Sequence, residues 1–141
     1  MKASSKPSYR ADVYQHRDGC VVLIKYHLIW IPRRRRKVLI GEVASRLEEL
    51  LRTKCEELEI TIERLAIQPD HLHLFMEAPP MLAPSQIAFR LKGFTSHALR
   101  KEFPQLKRMP SMWTTSYFCS TAGAVSQEVI QKYIEAQSTR A

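Results

Sequence analysis

A predicted β-hairpin in the middle of the chain constrains the fold more than any other feature. Two apolar segments, at about 60–68 and 71–78, are separated by only a Pro-Asp pair, which is typical of a tight turn. The second segment opens with His71-Leu72-His73. Because side chains alternate along a strand, both histidines share one face and the leucine lies on the other. The hairpin therefore has one face to bury and one face that presents two imidazoles.

The flanking sequence predicts two further strands and three helices. Apolar periodicity gives strands at about 21–31, 60–68, 71–78 and 113–121, and helices at about 41–59, 85–103 and 126–137. The order β-α-β-β-α-β-α predicts an α+β fold, a ferredoxin-like or RRM-like two-layer sandwich with an antiparallel sheet. Helices on one side of the sheet would leave the histidine face open.

Length and polarity indicate one domain with a short extension. Residues 1–18 are polar and basic, and we expect a flexible N-terminal tail followed by a single domain over 19–141. The sequence shows neither a signal-peptide core nor an apolar run approaching the roughly 20 residues that span a bilayer. We therefore expect a cytoplasmic protein without a membrane partner.

The charge balance favours a polyanionic partner. The chain has 22 Lys and Arg against 14 Asp and Glu, a net charge of +8. Nucleic acid is the first candidate for such a surface. The run Arg33, Arg34, Arg35, Arg36 follows the first strand and is predicted to contact phosphates, although a solvated loop is the ordinary reading of a charge run.

The last predicted helix carries the remaining candidate chemistry. Tyr133 and Gln137 are one turn apart on the same helix face. With His71 and His73 they supply two nitrogen ligands, an amide oxygen and a phenol, which are the parts of a metal-assisted attack of tyrosine on a phosphate. Taken singly each residue has an ordinary structural reading. A histidine in a strand, such as His27, is more often a core or sheet-face residue.

Several pieces of sequence together resemble a known family, the small single-tyrosine HUH transposases. These enzymes move compact bacterial and archaeal insertion sequences as single-stranded DNA. The resemblance runs from about 21 to 137 in order and spacing. The matching pieces are Tyr26-His27-Leu28-Ile29-Trp30, His71-Leu72-His73 after Pro69-Asp70, Leu91-Lys92-Gly93, Ser116-Tyr117-Phe118 and Tyr133-Ile134-Glu135-Ala136-Gln137.

The resemblance implies a specific reaction and site. Members are homodimers that bind a hairpin near each transposon end, cleave one DNA strand and rejoin strands through a 5′-phosphotyrosine. The nucleophile matches Tyr133, and the ligands of a divalent metal ion, Mg²⁺ or Mn²⁺, match His71, His73 and Gln137. Lys92 belongs to the matching Lys-Gly pair and is the expected DNA contact on the second predicted helix.

Two other functions remain open from the sequence. RNA-recognition folds share this strand and helix order, so a non-catalytic module that binds single-stranded or hairpin nucleic acid is one alternative. The third strand would present His71, His73 and Phe75 for stacking, a poorer platform than a ligand pair. The other alternative is a domesticated HUH nuclease that cleaves chromosomal repeat hairpins with the same chemistry.

Overall fold

The computed structural model describes residues 15–17, 20–121 and 127–137. The strands are β1 (Gln15–Arg17), β2 (Cys20–Val22), β3 (Lys25–Trp30), β4 (Thr61–Gln68), β5 (His71–Glu77) and β6 (Phe118–Ser120). The helices are α1 (Gly41–Glu57), α2 (Pro84–Glu102) and α3 (Gln127–Gln137), with 3-10 turns at Arg33–Arg35 and Pro104–Arg108.

The main sheet has four strands in the order β4-β5-β3-β6, and every neighbouring pair is antiparallel. The hairpin strands β4 and β5 join directly through a two-residue turn, and β3 lies on the other side of β5. This confirms the predicted α+β sandwich and its central hairpin. Strand β5, which carries the two histidines, is therefore an interior strand held in register from both sides.

The core lies between the sheet and the layer formed by α1 and α2. Leu28 and Trp30 of β3 and Leu72 and Leu74 of β5 are fully buried there. The helices contribute buried apolar stripes: Val43, Leu47, Leu50, Leu51 and Cys55 from α1, and Ile87, Leu91 and Leu99 from α2. Because alternate strand residues fill this core, the intervening ones face the other side of the sheet.

The N-terminal region differs from the prediction. Within the predicted flexible tail, Gln15–Arg17 form β1, which pairs antiparallel with β2 in a separate two-stranded sheet; residues 1–14 lie outside the described residues. The predicted first strand, at about 21–31, is also two strands, interrupted at Leu23-Ile24. The apolar run is continuous, but its two halves pair with different partners, and composition does not encode that change.

The fourth strand is shorter than the predicted 113–121 segment. Trp113 makes only an isolated bridge to Pro32, and its indole Nε1 donates a hydrogen bond of 3.1 Å to Thr95 in the core. The chain regains ladder pairing at β6. The large apolar residues of the segment 113–121 predict a strand along its whole length. At its start, however, Trp113 is held by contacts with a helix and the core instead of by strand pairing.

No helix in the described part of the chain is long and apolar enough to cross a membrane.

Truncating the buried face of β5 should destabilise the fold strongly. Leu74 is 0% exposed, so Leu74→Ala removes buried methyl groups and leaves a cavity, at a cost of about 2–5 kcal/mol in unfolding free energy. Urea denaturation measures this cost. Met81→Ala is the control because Met81 is 58% exposed, and it should change stability by less than about 0.5 kcal/mol. Equal effects of the two substitutions would contradict the assigned core.

Candidate active site

The two histidines of β5 lie on the open face of the sheet, as predicted. His71 and His73 are partly buried, whereas Leu72 between them is fully buried in the core. The imidazole centroids are 4.9 Å apart and their planes meet at 74°. The rings are close enough to act on one ligand.

A carboxylate and a guanidinium support His71. Its Nδ1 donates to Asp70 Oδ1 at 2.8 Å, and Arg35 Nε donates to Asp70 Oδ2, also at 2.8 Å. Burial alone would raise the pKa of Asp70, but the hydrogen bonds from Arg35 and His71 outweigh it and hold that pKa below its usual value. The ionised Asp70 accepts the Nδ1 proton of His71, so the neutral form of this ring carries its lone pair on Nε2.

A buried histidine supports His73. His27 Nε2 lies 3.1 Å from His73 Nδ1, and the His27 ring stacks on Phe75 with a centroid distance of 3.8 Å. Burial, followed by the nearby His71, lowers the pKa of His73 to about 4. His73 is therefore neutral near pH 7, the form in which imidazole binds a metal. His27 is 1% exposed, the sheet-face position predicted for it.

Helix α3 brings the tyrosine and the glutamine to the same open face. Its Ile130 and Ile134 pack on Ile29, which lies on the face of β3 opposite the main core. Tyr133 is half-buried in this small cluster, with its ring centroid 5.9 Å from that of Phe118. An apolar stripe on α3 thus docks the helix over the sheet.

One serine contacts both candidate site residues of α3. Ser116 Oγ donates to Gln137 Oε1 at 2.9 Å, and the Tyr133 hydroxyl lies 3.3 Å from the same Oγ. Because the serine has a single proton and gives it to Gln137, the tyrosine donates the second bond. Ser116 therefore joins the predicted nucleophile and the predicted amide ligand.

Phe118 links the histidine group to the tyrosine group. The centroid of its ring lies 6.3 Å from that of His27, with the two rings edge to face, and 5.9 Å from that of Tyr133. The four predicted site residues thus lie on the open face of the sheet: His71, His73, Tyr133 and Gln137. The amide oxygen of Gln137 accepts a hydrogen bond from Ser116. The role of Gln137 as a metal ligand stays a prediction.

The four arginines of the run lie in two kinds of environment. Arg33 donates to Ser111 Oγ at 3.0 Å and Arg35 binds Asp70, whereas Arg34 and Arg36 are exposed. Arg34 and Arg35 both have left-handed backbone angles, with φ of 59° and 57°. This unusual turn places Arg35 on Asp70. Within the predicted DNA-contact run, Arg34 and Arg36 are the residues presented to solvent.

Lys92 contacts the protein's own backbone. The sequence predicts a DNA contact, but its Nζ donates to the backbone carbonyls of Thr114 at 2.7 Å and Ser116 at 3.0 Å. Burial lowers the pKa of Lys92 to about 8. Its ammonium group thus holds the segment that carries Ser116, and its role as a DNA contact stays a prediction. The link joins residues 24 positions apart, and local sequence periodicity carries no signal for it.

Comparison with known proteins identifies the family. The family model described as "Transposase IS200 like" matches residues 20–137. The chain belongs to the IS200-like transposase family. It is 35% identical over 122 residues to the ISDra2 transposase TnpA of Deinococcus radiodurans, covering 84% of this chain and 87% of that protein. It is 33% identical over 116 residues to the transposase for insertion sequence element IS200 of Salmonella typhimurium, covering 80% and 76%.

Solved structures agree with this assignment. A protein from Deinococcus radiodurans R1 described as a transposase superposes with a TM-score of 0.80 at 32% identity, covering 87% of this chain and 97% of that one. A REP-associated tyrosine transposase bound to a REP hairpin superposes with a TM-score of 0.50 at 12% identity, covering 81% and 64%, a likeness of fold alone. This IS200-like protein is therefore a DNA transposase, and DNA is its substrate.

A metal site on the open face would need a donor besides the histidine pair. In the described ranges, no three His, Cys, Asp or Glu side chains are grouped so that they could hold a metal ion. The predicted set of His71, His73 and Gln137 includes an amide, a donor outside those four residue types. An IS200-like transposase is consistent with a divalent metal requirement in general.

The partly buried Lys92 should make the stability of the protein depend on pH. Its pKa falls from 10.5 in an unfolded chain to about 8 in the fold. Between these values the unfolded state binds more protons, so the free energy of unfolding rises with pH. Urea titrations at pH 7 and pH 9.5 should show wild type gaining stability relative to Lys92→Met. A stability difference between the two proteins that does not change with pH would contradict the lowered pKa of Lys92.

Proposed function

We propose that this transposase cleaves and rejoins single-stranded DNA at hairpin-marked transposon ends, through a 5′-phosphotyrosine on Tyr133. The observation that carries the proposal is the arrangement on the open face. Two histidines, each with its Nδ1 in a hydrogen bond, share that face with a helix that presents Tyr133. Family membership supplies the DNA substrate, and these side chains supply the chemistry.

The donor set fits a divalent metal. With Nδ1 of His71 and His73 each in a hydrogen bond, Nε2 is the nitrogen that would bind the ion. The oxygen of Gln137 accepts one bond from Ser116 and has a second lone pair. A mixed nitrogen and oxygen set suits Mn²⁺ or Mg²⁺, and the nitrogens favour Mn²⁺. When bound, such an ion polarises the phosphate oxygens as a Lewis acid.

The proposed reaction is a transesterification in both directions. The Tyr133 oxygen bonds to phosphorus, the bond from phosphorus to the 3′ oxygen breaks, the phenol loses its proton and the departing 3′ oxygen gains one. Rejoining reverses these changes with another strand's 3′-hydroxyl and releases Tyr133. The covalent link conserves the phosphodiester bond energy, so no ATP is consumed. Ser116, which accepts the phenol hydrogen bond, holds the tyrosine before attack.

The proposal includes a homodimer, as the family resemblance implies. The tyrosine helix of one subunit would complete a site with the histidines of its partner or with those of its own chain. Both arrangements use the same residues.

Covalent adduct formation tests the chemistry directly. Purified protein is mixed with labelled single-stranded hairpin oligonucleotides from the DNA that borders its gene, with Mn²⁺ or with EDTA, and run on a denaturing gel. We expect a metal-dependent protein–DNA adduct that is absent in Tyr133→Phe and in His71→Ala. Tyr117→Phe is the matched control, and it should keep the adduct because the proposed mechanism does not use that hydroxyl.

Other outcomes of this experiment would identify the alternatives. Tight hairpin binding without any adduct in wild type would contradict the proposal and favour a non-catalytic binding module. An adduct with chromosomal repeat hairpins but not with the flanking ends would favour a domesticated nuclease.

Asp70 should control metal affinity through His71. Asp70→Asn removes the negative charge that holds the Nδ1 proton of His71, and loss of such a supporting group typically lowers metal affinity by about 10–100-fold. Titration with Mn²⁺ followed by electron paramagnetic resonance measures this affinity without DNA. Glu63→Gln is the control, since Glu63 forms an exposed ion pair with Lys25. Equal Mn²⁺ affinity in both variants would rule out the supporting role of Asp70.

A further inference from the structure

His27 occupies a buried position that packing alone would fill with an apolar residue. It lies on β3 two residues before Ile29, and so on the same face of the sheet. Its ring stacks on Phe75 at a centroid distance of 3.8 Å and meets Phe118 edge to face at 6.3 Å. Only 1% of the residue is exposed. Because burial of a polar ring costs free energy unless its nitrogens are hydrogen-bonded, this histidine needs an explanation beyond packing.

Only one ring nitrogen of His27 is hydrogen-bonded within the part of the chain that the structure describes. Nε2 lies 3.1 Å from Nδ1 of His73, whereas the buried Nδ1 has no partner there. Burial, followed by the nearby Arg64, lowers the pKa of His27. The ring is therefore neutral near pH 7, with one proton and one lone pair. Its single hydrogen bond goes to a candidate metal ligand.

The two candidate ligands are supported by groups of different kinds. His71 Nδ1 bonds to Asp70 Oδ1 at 2.8 Å, and an ionised carboxylate can only accept a hydrogen bond. Neutral His71 therefore keeps its proton on Nδ1 whether or not an ion is present. His73 bonds instead to a neutral imidazole, whose Nε2 can either donate or accept. The position of the proton on His73 thus depends on His27.

Without an ion, the unpartnered nitrogen of His27 decides the direction of the bond. If His27 Nε2 accepted from His73, the proton of His27 would lie on Nδ1, a buried N–H without an acceptor among the described residues. If Nε2 donates, Nδ1 is left as an unpartnered acceptor. Orphaned buried N–H groups are rarer in proteins than under-satisfied acceptors. We therefore expect His27 to donate, which leaves the proton of His73 on Nε2.

With an ion on His73, the bond has to run the other way. Nε2 binds a metal through its lone pair, so the proton of the neutral ring must lie on Nδ1. His27 Nε2 is the atom in reach of that proton and must then accept it.

We propose that His27 is a positioning residue that sets the tautomer of His73, and that their shared hydrogen bond reverses when the ion binds. The shared proton passes from His27 Nε2 to His73 Nδ1. His73 Nε2 gives its proton to solvent, and His27 Nδ1 takes one from solvent. Both rings stay neutral, so no net proton is taken up or released. This inference rests on the proposed metal site at the two histidines of β5.

NMR of protein labelled with nitrogen-15 observes these tautomers without DNA, because a protonated and an unprotonated ring nitrogen differ in chemical shift. At pH 8, above the ordinary pKa of histidine, we expect the proton of His73 on Nε2 without an ion. It should lie on Nδ1 after saturation with Zn²⁺, a diamagnetic ion that binds imidazole. His27 should change in the same way. His71 is the control in the same spectra, since its proton should lie on Nδ1 in both states.

Substitutions of His27 separate this role from packing. His27→Gln keeps a side chain that can accept a hydrogen bond, whereas His27→Phe keeps a ring beside Phe75 but has no acceptor. His27→Phe should lower Mn²⁺ affinity about tenfold, as loss of a group that supports a metal ligand does. Its melting temperature should not fall, because the substitution removes an unpartnered buried nitrogen.

His27→Gln should bring Mn²⁺ affinity back to within about threefold of wild type. A merely structural role for His27 predicts the opposite order, because phenylalanine suits an apolar position better than glutamine does. Electron paramagnetic resonance measures these affinities.

Three results would overturn the inference. The first is a proton of His73 that stays on the same nitrogen with and without Zn²⁺. The second is equal Mn²⁺ affinity in wild type and His27→Phe, and the third is a wild-type protein that binds neither ion.

Adduct formation keeps this inference separate from the proposed reaction. Wild-type protein that forms the DNA adduct while His73 keeps one tautomer would support the reaction and overturn the inference. Protein in which the His73 tautomer reverses with Zn²⁺, but which forms no adduct, would refute the reaction and support the inference.

Discussion

The alternating burial of β5 is the constraint on which the rest of the structure depends. Leu72 and Leu74 are fully buried against the helices, and strand geometry therefore places His71 and His73 on the other face. Pairing with β3 and β4 fixes this register from both sides. A slip of one residue would exchange the two faces, burying imidazoles in an apolar core and exposing leucines. The same hydrophobic contacts thus hold the sheet together and orient the candidate ligands.

The open face is assembled by contacts between residues distant in sequence. Helix α3 docks through Ile130 and Ile134 on Ile29, and the segment before β6 is held by Lys92. Each contact is modest alone, because a typical hydrogen bond contributes only about 1 kcal/mol. Together they define where the Tyr133 hydroxyl lies. Much of the site's order therefore comes from residues that have no part in the proposed bond-making steps.

Sequence reasoning predicted the parts of the fold that depend on periodicity. The central hairpin, the three helices and the shared face of His71 and His73 follow from side-chain alternation and helical spacing, and all are present. The strand β1 and the break before β3 were missed because pairing partners, not composition, determine them. The backbone contacts of Lys92 are not predictable for a similar reason: an isolated lysine carries no signal that it donates to carbonyls far along the chain.

Of the residues that support the site, some could be predicted from the sequence and others could not. Asp70 adjoins His71 in sequence, and a carboxylate beside a candidate ligand is a readable signal. Its second partner, Arg35, comes from a turn with left-handed backbone angles, and that conformation is unexpected for arginine. In the sequence the arginine run is a stretch of uniform charge. In the structure two of its members bond within the protein and two are exposed to solvent.

The shared hydroxyl of Ser116 has a consequence for how the site can vary. Tyr133 and Gln137 lie one turn apart on a single helix and meet the same serine oxygen. A rotation or shift of α3 would carry both side chains together. The helix therefore positions the tyrosine and the glutamine as one unit. Substitution of the docking residues Ile130 and Ile134 would displace Tyr133 and Gln137 together. The two histidines would stay where the sheet places them.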